Sequence, residues 1–287
     1  MKPASFEYHA PTTIDEALTL LQAHAIDARL LAGGQSLVPM MNFRLATPAV
    51  IIDLNRIPSL SYIEDQGGVI RIGAMTRQRA IEFSPLVTAK FPLLHEAIKL
   101  VGHLPTRSRG TIGGSIANAD PAAELPMVLQ ALDGEVVARG PRGERRIAAA
   151  DLFREAMTTS LAADEIIAEV RLPAVPPETG CAIEEFSRRH GDFAIAAIAV
   201  MILRDGQRCA KVRIATAGIS SHSHRLRAAE KLLEDQGVSE GAIVGAAEKA
   251  AELVEPLSDQ NASAEFRRHL TQVLTERALR RAIVAAA

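Results

Sequence analysis

The chain has 287 residues, 48% of them hydrophobic and 23% charged, with a formal net charge of −2. This is an ordinary globular composition, long enough for two domains with their own cores, and its charge balance argues against a nucleic-acid footprint. The start, Met1 to Glu7, has no secretory core, and the longest apolar run, Phe193 to Leu203, falls far short of the ~20 residues of a membrane span, so no membrane span and a cytoplasmic protein are expected.

In chain order, Thr13-Ile14-Asp15-Glu16 is a capping box that opens a helix with Ile14, Ala17, Leu18 and Leu21 on one face. A β run at Arg29 to Leu31 leads into a glycine-rich stretch, Ala32-Gly33-Gly34-Gln35-Ser36. Residues 36–45 read as a short helix ended by Pro48, and residues 50–54 as a second strand. A second unit follows, with a strand at 69–73, a short helix capped by Thr76 and an amphipathic helix over 93–101. Next comes a second glycine-rich stretch, Thr111-Ile112-Gly113-Gly114-Ser115. Asp120 and Pro121 read as the N-cap and first residue of a helix over 122–132, with strands at 135–139, 144–147 and 165–172 after it. Pro173, Pro176 and Pro177 mark a linker. Beyond it, residues 182–188, 193–204 and 208–217 read as antiparallel strands, Asp205-Gly206 turning the last hairpin. Helices over 226–236, 240–253 and 264–285 close the chain, giving an α+β fold.

The two glycine stretches carry the chemistry. Paired glycines let backbone approach a ligand closely, and successive free N–H groups in such a loop form an anion site. Each stretch ends in a serine hydroxyl, and two such loops suit the two phosphates of a dinucleotide. Gln-Ser and Ser-Ile follow the glycine pairs, so neither stretch is a Walker loop, and neither contains Gly-x-Gly-x-x-Gly.

Leu31 to Leu37, Asp53-Leu54, Arg109 to Ser115, Asp120-Pro121-Ala122-Ala123-Glu124-Leu125-Pro126 and Ser187 to Ala194 together resemble the FAD-binding medium subunit of molybdenum hydroxylases. That family includes the carbon monoxide dehydrogenase medium subunit and the central part of xanthine dehydrogenase, and the resemblance covers the whole chain. It implies a two-subdomain FAD-binding domain of the vanillyl-alcohol-oxidase (PCMH-like) type over residues 1–175, with subdomains at about 1–55 and 56–175. A small C-terminal domain of three antiparallel strands plus helices follows over 178–287. The resemblance also implies non-covalent FAD, wrapped at its pyrophosphate by Leu31, Ala32, Gly33, Gly34, Gln35, Ser36 and Leu37 and by Thr111, Ile112, Gly113, Gly114 and Ser115. Glu124 matches a family acid on the adenosine side, a place where helix electrostatics also favour a carboxylate. Ile167 aligns with a residue packed near the flavin; by strict alternation it shares a polar face with Glu165, Glu169 and Arg171, opposite Ile166, Ala168, Val170 and Leu172. Where part of the family has a lysine near the flavin, this chain has Glu184 or Glu185.

Cys181 and Cys209 are the only cysteines and read as reduced thiols, whereas a cysteine-ligated iron–sulfur cluster takes four. In the family, molybdopterin sits on a large partner subunit and a two-iron two-sulfur cluster on a small one, as a dimer of heterotrimers. His103 reads as structural, Arg107 and Arg109 as solvated or ion-paired, with a phosphate contact as the alternative, and Arg188 and Arg189 on a strand as ion-paired or in an interface contact. His222-x-His224 lacks a third ligand for a metal. With no acid–base or nucleophile set, and so no catalytic residue, the chemistry falls to the cofactor. The expected function is electron transfer from a partner's iron–sulfur clusters through FAD to an external acceptor. The alternatives are a self-contained flavin oxidoreductase of the vanillyl-alcohol-oxidase type, for which a C-terminal region of about 110 residues is small, and a flavin-binding or assembly protein without turnover. Substrate and terminal acceptor stay open.

Overall fold

The structure, a computed structural model, describes residues 1–206 and 208–286. Its first sheet is parallel, in the order β1-β3-β2, from β1 (Glu7–His9), β2 (Ala28–Leu31) and β3 (Val50–Asp53). α1 (Ile14–His24) joins β1 to β2, and α2 (Leu37–Asn42) joins β2 to β3. The capping box forms as expected: Thr13 Oγ1 accepts from Glu16 N at 3.2 Å, and the Glu16 carboxylate reaches back to Thr12 N at 2.8 Å.

The second sheet is antiparallel, in the order β4-β5-β10-β6-β7. Its strands are β4 (Ile63–Gln66), β5 (Val69–Gly73), β6 (Glu135–Gly140), β7 (Gly143–Ala148) and β10 (Ile166–Pro173). Between β5 and β6 run six helices: α3 (Gln78–Glu82), α4 (Pro85–Lys90), α5 (Pro92–Leu100), α6 (Leu104–Arg109), α7 (Ile112–Asn118) and α8 (Glu124–Ala131). α9 (Ala149–Leu152) and a minor ribbon of β8 (Phe153–Glu155) and β9 (Thr158–Thr159) precede β10.

The third sheet, β11-β12-β13-β14, consists of β11 (Thr179–Phe186), β12 (Ala196–Asp205), β13 (Arg208–Ala217) and β14 (His224–Arg225). α10 (Arg227–Gln236), α11 (Glu240–Leu253) and α12 (Ala264–Ala285) cover one of its faces. Ala197 and Ala199 of β12 point into the central core with Phe91, Leu94 and Val170, while Ile198, Val200 and Ile202 point into the core under α10–α12. β12 is thus buried on both faces, which explains why its sequence is one continuous apolar run rather than an alternation.

Several expectations need correcting. The helix expected over 122–132 begins at Glu124 with Ala123 as N-cap; Asp120 instead accepts from Ala122 N at 2.9 Å in a turn one step earlier. Thr76 does not cap α3, whose N-cap is Arg77. Its hydroxyl bridges the backbone of Tyr62, accepting from the N–H and donating to the carbonyl. Arg188 and Arg189 lie beyond the end of β11, and Arg188 donates to the carbonyls of Gln260 and Asn261. A fourth short strand, β14, extends the expected three.

The largest correction concerns Ile167. β10 bulges between Ile167, opposite Ala138, and Glu169, opposite Val137, so one extra residue breaks the period of two. Ile167 turns into the central core with Val170 and Leu172 and is 5% exposed, while Ile166 and Ala168 pack against Ile14, Leu18 and Ile52. No polar face carries it.

Gly180 shows how closely α12 lies on the third sheet, since a Cβ there would sit 1.8 Å from the Ala282 carbonyl oxygen. Gly180→Val should destabilise by about 2–3 kcal/mol and lower Tm by roughly 5–10 °C. Gly241→Ala, in α11 with open space around it, should be neutral or stabilising by up to ~1 kcal/mol. Thermal unfolding followed by circular dichroism checks both; equal Tm values would contradict the packing described.

Candidate dinucleotide site

The parallel pairing of β2 and β3 places their C-terminal loops side by side, the position where open sheets of this kind bind ligands. The loop after β2 is the first glycine stretch. Among the described residues, the N–H groups of Gly33, Gly34, Gln35 and Ser36 donate to no protein acceptor. Gly34 takes φ +73°, a conformation that favours glycine, and Gln35 Nε2 folds back to the Gly33 carbonyl at 3.1 Å. Four consecutive free amides form a concave anion site. The Ser36 hydroxyl, at the N-cap of α2, makes no capping bond.

The second glycine stretch is built differently. Gly113 N donates to the Ala74 carbonyl at 2.9 Å, Ile112 N to Thr76 at 3.1 Å, Ser115 N to Thr111 at 3.1 Å and Gly114 N to Thr111 Oγ1 at 3.1 Å. Its amides therefore fasten the loop to the segment after β5 and start α7, leaving no run of free donors of the kind found in the first loop.

The glycines instead let backbone meet backbone. A Cβ on Gly33 would lie 2.5 Å from the Arg109 carbonyl oxygen and 2.7 Å from Gly110 Cα. On Gly113 it would lie 2.5 Å from Ala74 Cβ, and on Gly114 3.1 Å from Ala32 Cβ. The two loops cross in direct contact, and any side chain at Gly33 would push them apart.

A polar strut spans the crossing. Asn55, just past β3, donates from Nδ2 to the Ala32 carbonyl at 2.9 Å, and its Oδ1 accepts from Arg77 Nη2 at 2.5 Å. Arg77 Nη1 donates to the Arg109 carbonyl of the other loop. Burial and the neighbouring Arg109 guanidinium push the Arg77 pKa down, with Asp53 opposing. Among the described residues, neither Arg77 nor Arg109 has a carboxylate within 4.0 Å. Arg107, by contrast, is buried and paired with Glu82 at 2.9 Å, a structural role. Two cations without a carboxylate contact beside four free amides would suit a diphosphate.

Not every expected residue lies at the crossing. Leu31 ends β2 beside Gly34, and Leu37 opens α2. Ile167 belongs to the central core, and Glu124 opens α8 at the far end of α7. Glu184 is engaged by Arg281 at 2.7 Å, whereas Glu185 bears on Glu124. His103 packs its ring against Gly191 and edge-on to His190, at 6.3 Å between centroids. Among the described residues no group of three ligands could hold a metal, and both cysteines are free. Asn55 and Arg77 escaped the sequence reading; the one signal for Asn55 was its place two residues beyond a strand end, next to the glycine loop's own strand.

Comparison with known proteins identifies the family. Residues 4–175 match the FAD binding domain in molybdopterin dehydrogenase, and residues 182–282 the CO dehydrogenase flavoprotein C-terminal domain. The chain is 40% identical over 284 residues to the 6-hydroxypseudooxynicotine dehydrogenase complex subunit alpha of Paenarthrobacter nicotinovorans, covering 99% of this chain and 96% of that protein. It is 38% identical to the carbon monoxide dehydrogenase medium chain of Hydrogenophaga pseudoflava over 97% of both. A solved carbon monoxide dehydrogenase from Hydrogenophaga pseudoflava, lacking the Mo-pyranopterin moiety of its cofactor, superposes with a TM-score of 0.98 at 39% identity, covering 100% of both chains. The chain thus belongs to the family of FAD-binding medium subunits of molybdenum hydroxylases.

Proposed function

We propose that the chain holds FAD non-covalently at the crossing of its two glycine loops and passes electrons from a partner's iron–sulfur clusters to an external acceptor. The observation that carries this is the pairing of four free amides with two cations that lack carboxylate partners. The residues from Leu31 to Leu37 cradle the diphosphate, and Thr111 to Ser115 hold that cradle in place from behind. Arg77 and Asn55 fix the gap between the loops, and the Arg77 and Arg109 charges offset those of the phosphates. Bound FAD supplies the redox chemistry, taking electrons singly and passing them on in pairs.

Residues 1–175 form the FAD-binding domain in this reading, divided near residue 55, and residues 178–287 the C-terminal domain. The partners are a large molybdopterin subunit and a small two-iron two-sulfur subunit, assembled as a dimer of heterotrimers. Two relatives named for substrates as unlike as 6-hydroxypseudooxynicotine and carbon monoxide resemble this chain almost equally. That supports a substrate site lying outside this subunit. We place the complex in the cytoplasm, a reading supported by two free cysteines; no helix among the described residues is long and apolar enough to cross a membrane.

Gly33→Val should abolish FAD binding while the circular dichroism spectrum keeps its shape; full flavin content in that variant would refute the loop crossing as the site. Arg77→Gln should raise the Kd for FAD about tenfold to hundredfold and flatten its dependence on salt, as expected for loss of a charged hydrogen-bond donor. Flavin fluorescence during titration of the apoprotein reads both. The chain expressed with its genomic neighbours should co-purify with a molybdenum subunit and a two-iron two-sulfur subunit. Substrate-dependent flavin bleaching by the isolated chain would favour a self-contained oxidoreductase instead.

A further inference from the structure

Asp53 ends β3, paired in register with Leu31 and therefore beside the loop of free amides. Its charge opposes that of a diphosphate, so an acid at this place needs a reason. The hydrogen bonds supply one. Tyr8 of β1 donates to Asp53 Oδ2 at 2.6 Å, and that bond is the first cause of a raised Tyr8 pKa. The Asn55 N–H donates to Asp53 Oδ1 at 2.9 Å, capping the short turn Leu54–Arg56, and Asn55 Nδ2 donates to the same oxygen. One side of the carboxylate is anchored on the edge strand. The other grips both the backbone and the side chain of Asn55.

That grip decides which way the Asn55 amide faces. Nδ2 meets two acceptors, Asp53 Oδ1 and the Ala32 carbonyl, while Oδ1 meets a donor, Arg77 Nη2. Turned over, the amide would set its oxygen against two oxygens and its NH2 group against a guanidinium. Asn55 is exposed, so hydrogen bonds rather than packing hold its side chain. Placing a neutral amide between Asp53 and Arg77 has a second effect. Among the described residues Arg77 has no carboxylate within 4.0 Å. A direct ion pair would fix the guanidinium equally well but would neutralise it, whereas the amide fixes it and leaves its charge free for a phosphate.

We propose that Asp53 is a positioning residue of the cofactor site: its carboxylate locks the Asn55 amide in the one orientation that holds the Ala32 carbonyl and presents Arg77 to the diphosphate. The proposal rests on the FAD reading above. Asp53 itself touches no phosphate and acts only through Asn55. Its two contributions to binding have opposite signs. As a charge it repels the anion, and as an anchor it builds the site that receives it. The anchor outweighs the charge, because Asp53 sets one hydrogen bond to the cradle loop and one to the cation at once.

The test is the Kd of the full-length apoprotein for FAD, read by flavin fluorescence at fixed pH and ionic strength. Charge alone would make Asp53→Ala and Asp53→Asn both bind more tightly than the wild type. Positioning makes Asp53→Ala bind about tenfold more weakly, the effect of about one lost hydrogen bond. Asp53→Asn should bind about tenfold more tightly than Asp53→Ala, since its carbonyl oxygen can accept both Asn55 bonds while its amide donates to the Tyr8 hydroxyl. On an Asn55→Ala background, Asp53→Ala should no longer weaken binding. In parallel, the Asn55 side-chain amide of the 15N-labelled wild type should exchange its protons at least about tenfold more slowly than free asparagine, as expected for hydrogen-bonded donors, a readout that needs no variant to fold. An Asp53→Ala protein that binds FAD as tightly as the wild type, a full loss that persists on the Asn55→Ala background, or unprotected Asn55 protons would overturn the positioning role and leave the FAD site standing. A wild type that binds no FAD would overturn the site itself.

Discussion

The contact between Gly33 and the Arg109–Gly110 backbone is the constraint on which the site depends. It joins a loop of the parallel sheet to a loop hung between β5 and α7, so it ties the first sheet to the segment that follows the second sheet's β5. Only one of the two loops keeps its amides free. The other uses them to hold itself against Ala74, Thr76 and its own Thr111. The symmetry of two Gly-Gly-x-Ser-like stretches conceals a difference between a loop with free amides and a loop that uses its own to brace itself.

Charge pairing over the rest of the molecule makes the exceptions meaningful. Asp133 holds Arg213 at 2.7 Å and also binds Arg225, tying the end of α8 to the third sheet. Arg145 pairs with Glu165 and Arg71 with Glu169, so the outer face of the second sheet is laced by compensated ions. Among the described residues, half-buried Arg77 and exposed Arg109 stand at the loop crossing without a carboxylate contact.

Most of the fold was legible because its signals are local. The capping box, the Asp205-Gly206 turn position and the apolar stripes of α1 and α5 depend on neighbours a few residues apart. Edge strands such as β1 and β4 were missed because short half-exposed strands carry little pattern; β1 exists because β3 offers it a partner. The bulge in β10 was invisible for a similar reason. One extra residue reassigned Ile167 from an apparent polar face to the core, and only the pairing with β6 reveals it. At the site, the glycines were legible but their main office was not, since a sequence shows that a Cβ is absent and not what it would strike. Arg77 was illegible for want of any motif around it.

β12 has no free face. Its alanines seat the third sheet against the helices of the FAD-binding part, and its isoleucines and valine seat α10–α12 against the same strand. The Gly218 N–H closes the seam further by donating to the Pro121 carbonyl at 2.7 Å. A strand shared in this way makes hinge opening between the two parts as costly as unfolding a core. Loading and loss of the dinucleotide therefore have to proceed by local fraying of loops at the cleft mouth, on a framework that stays closed.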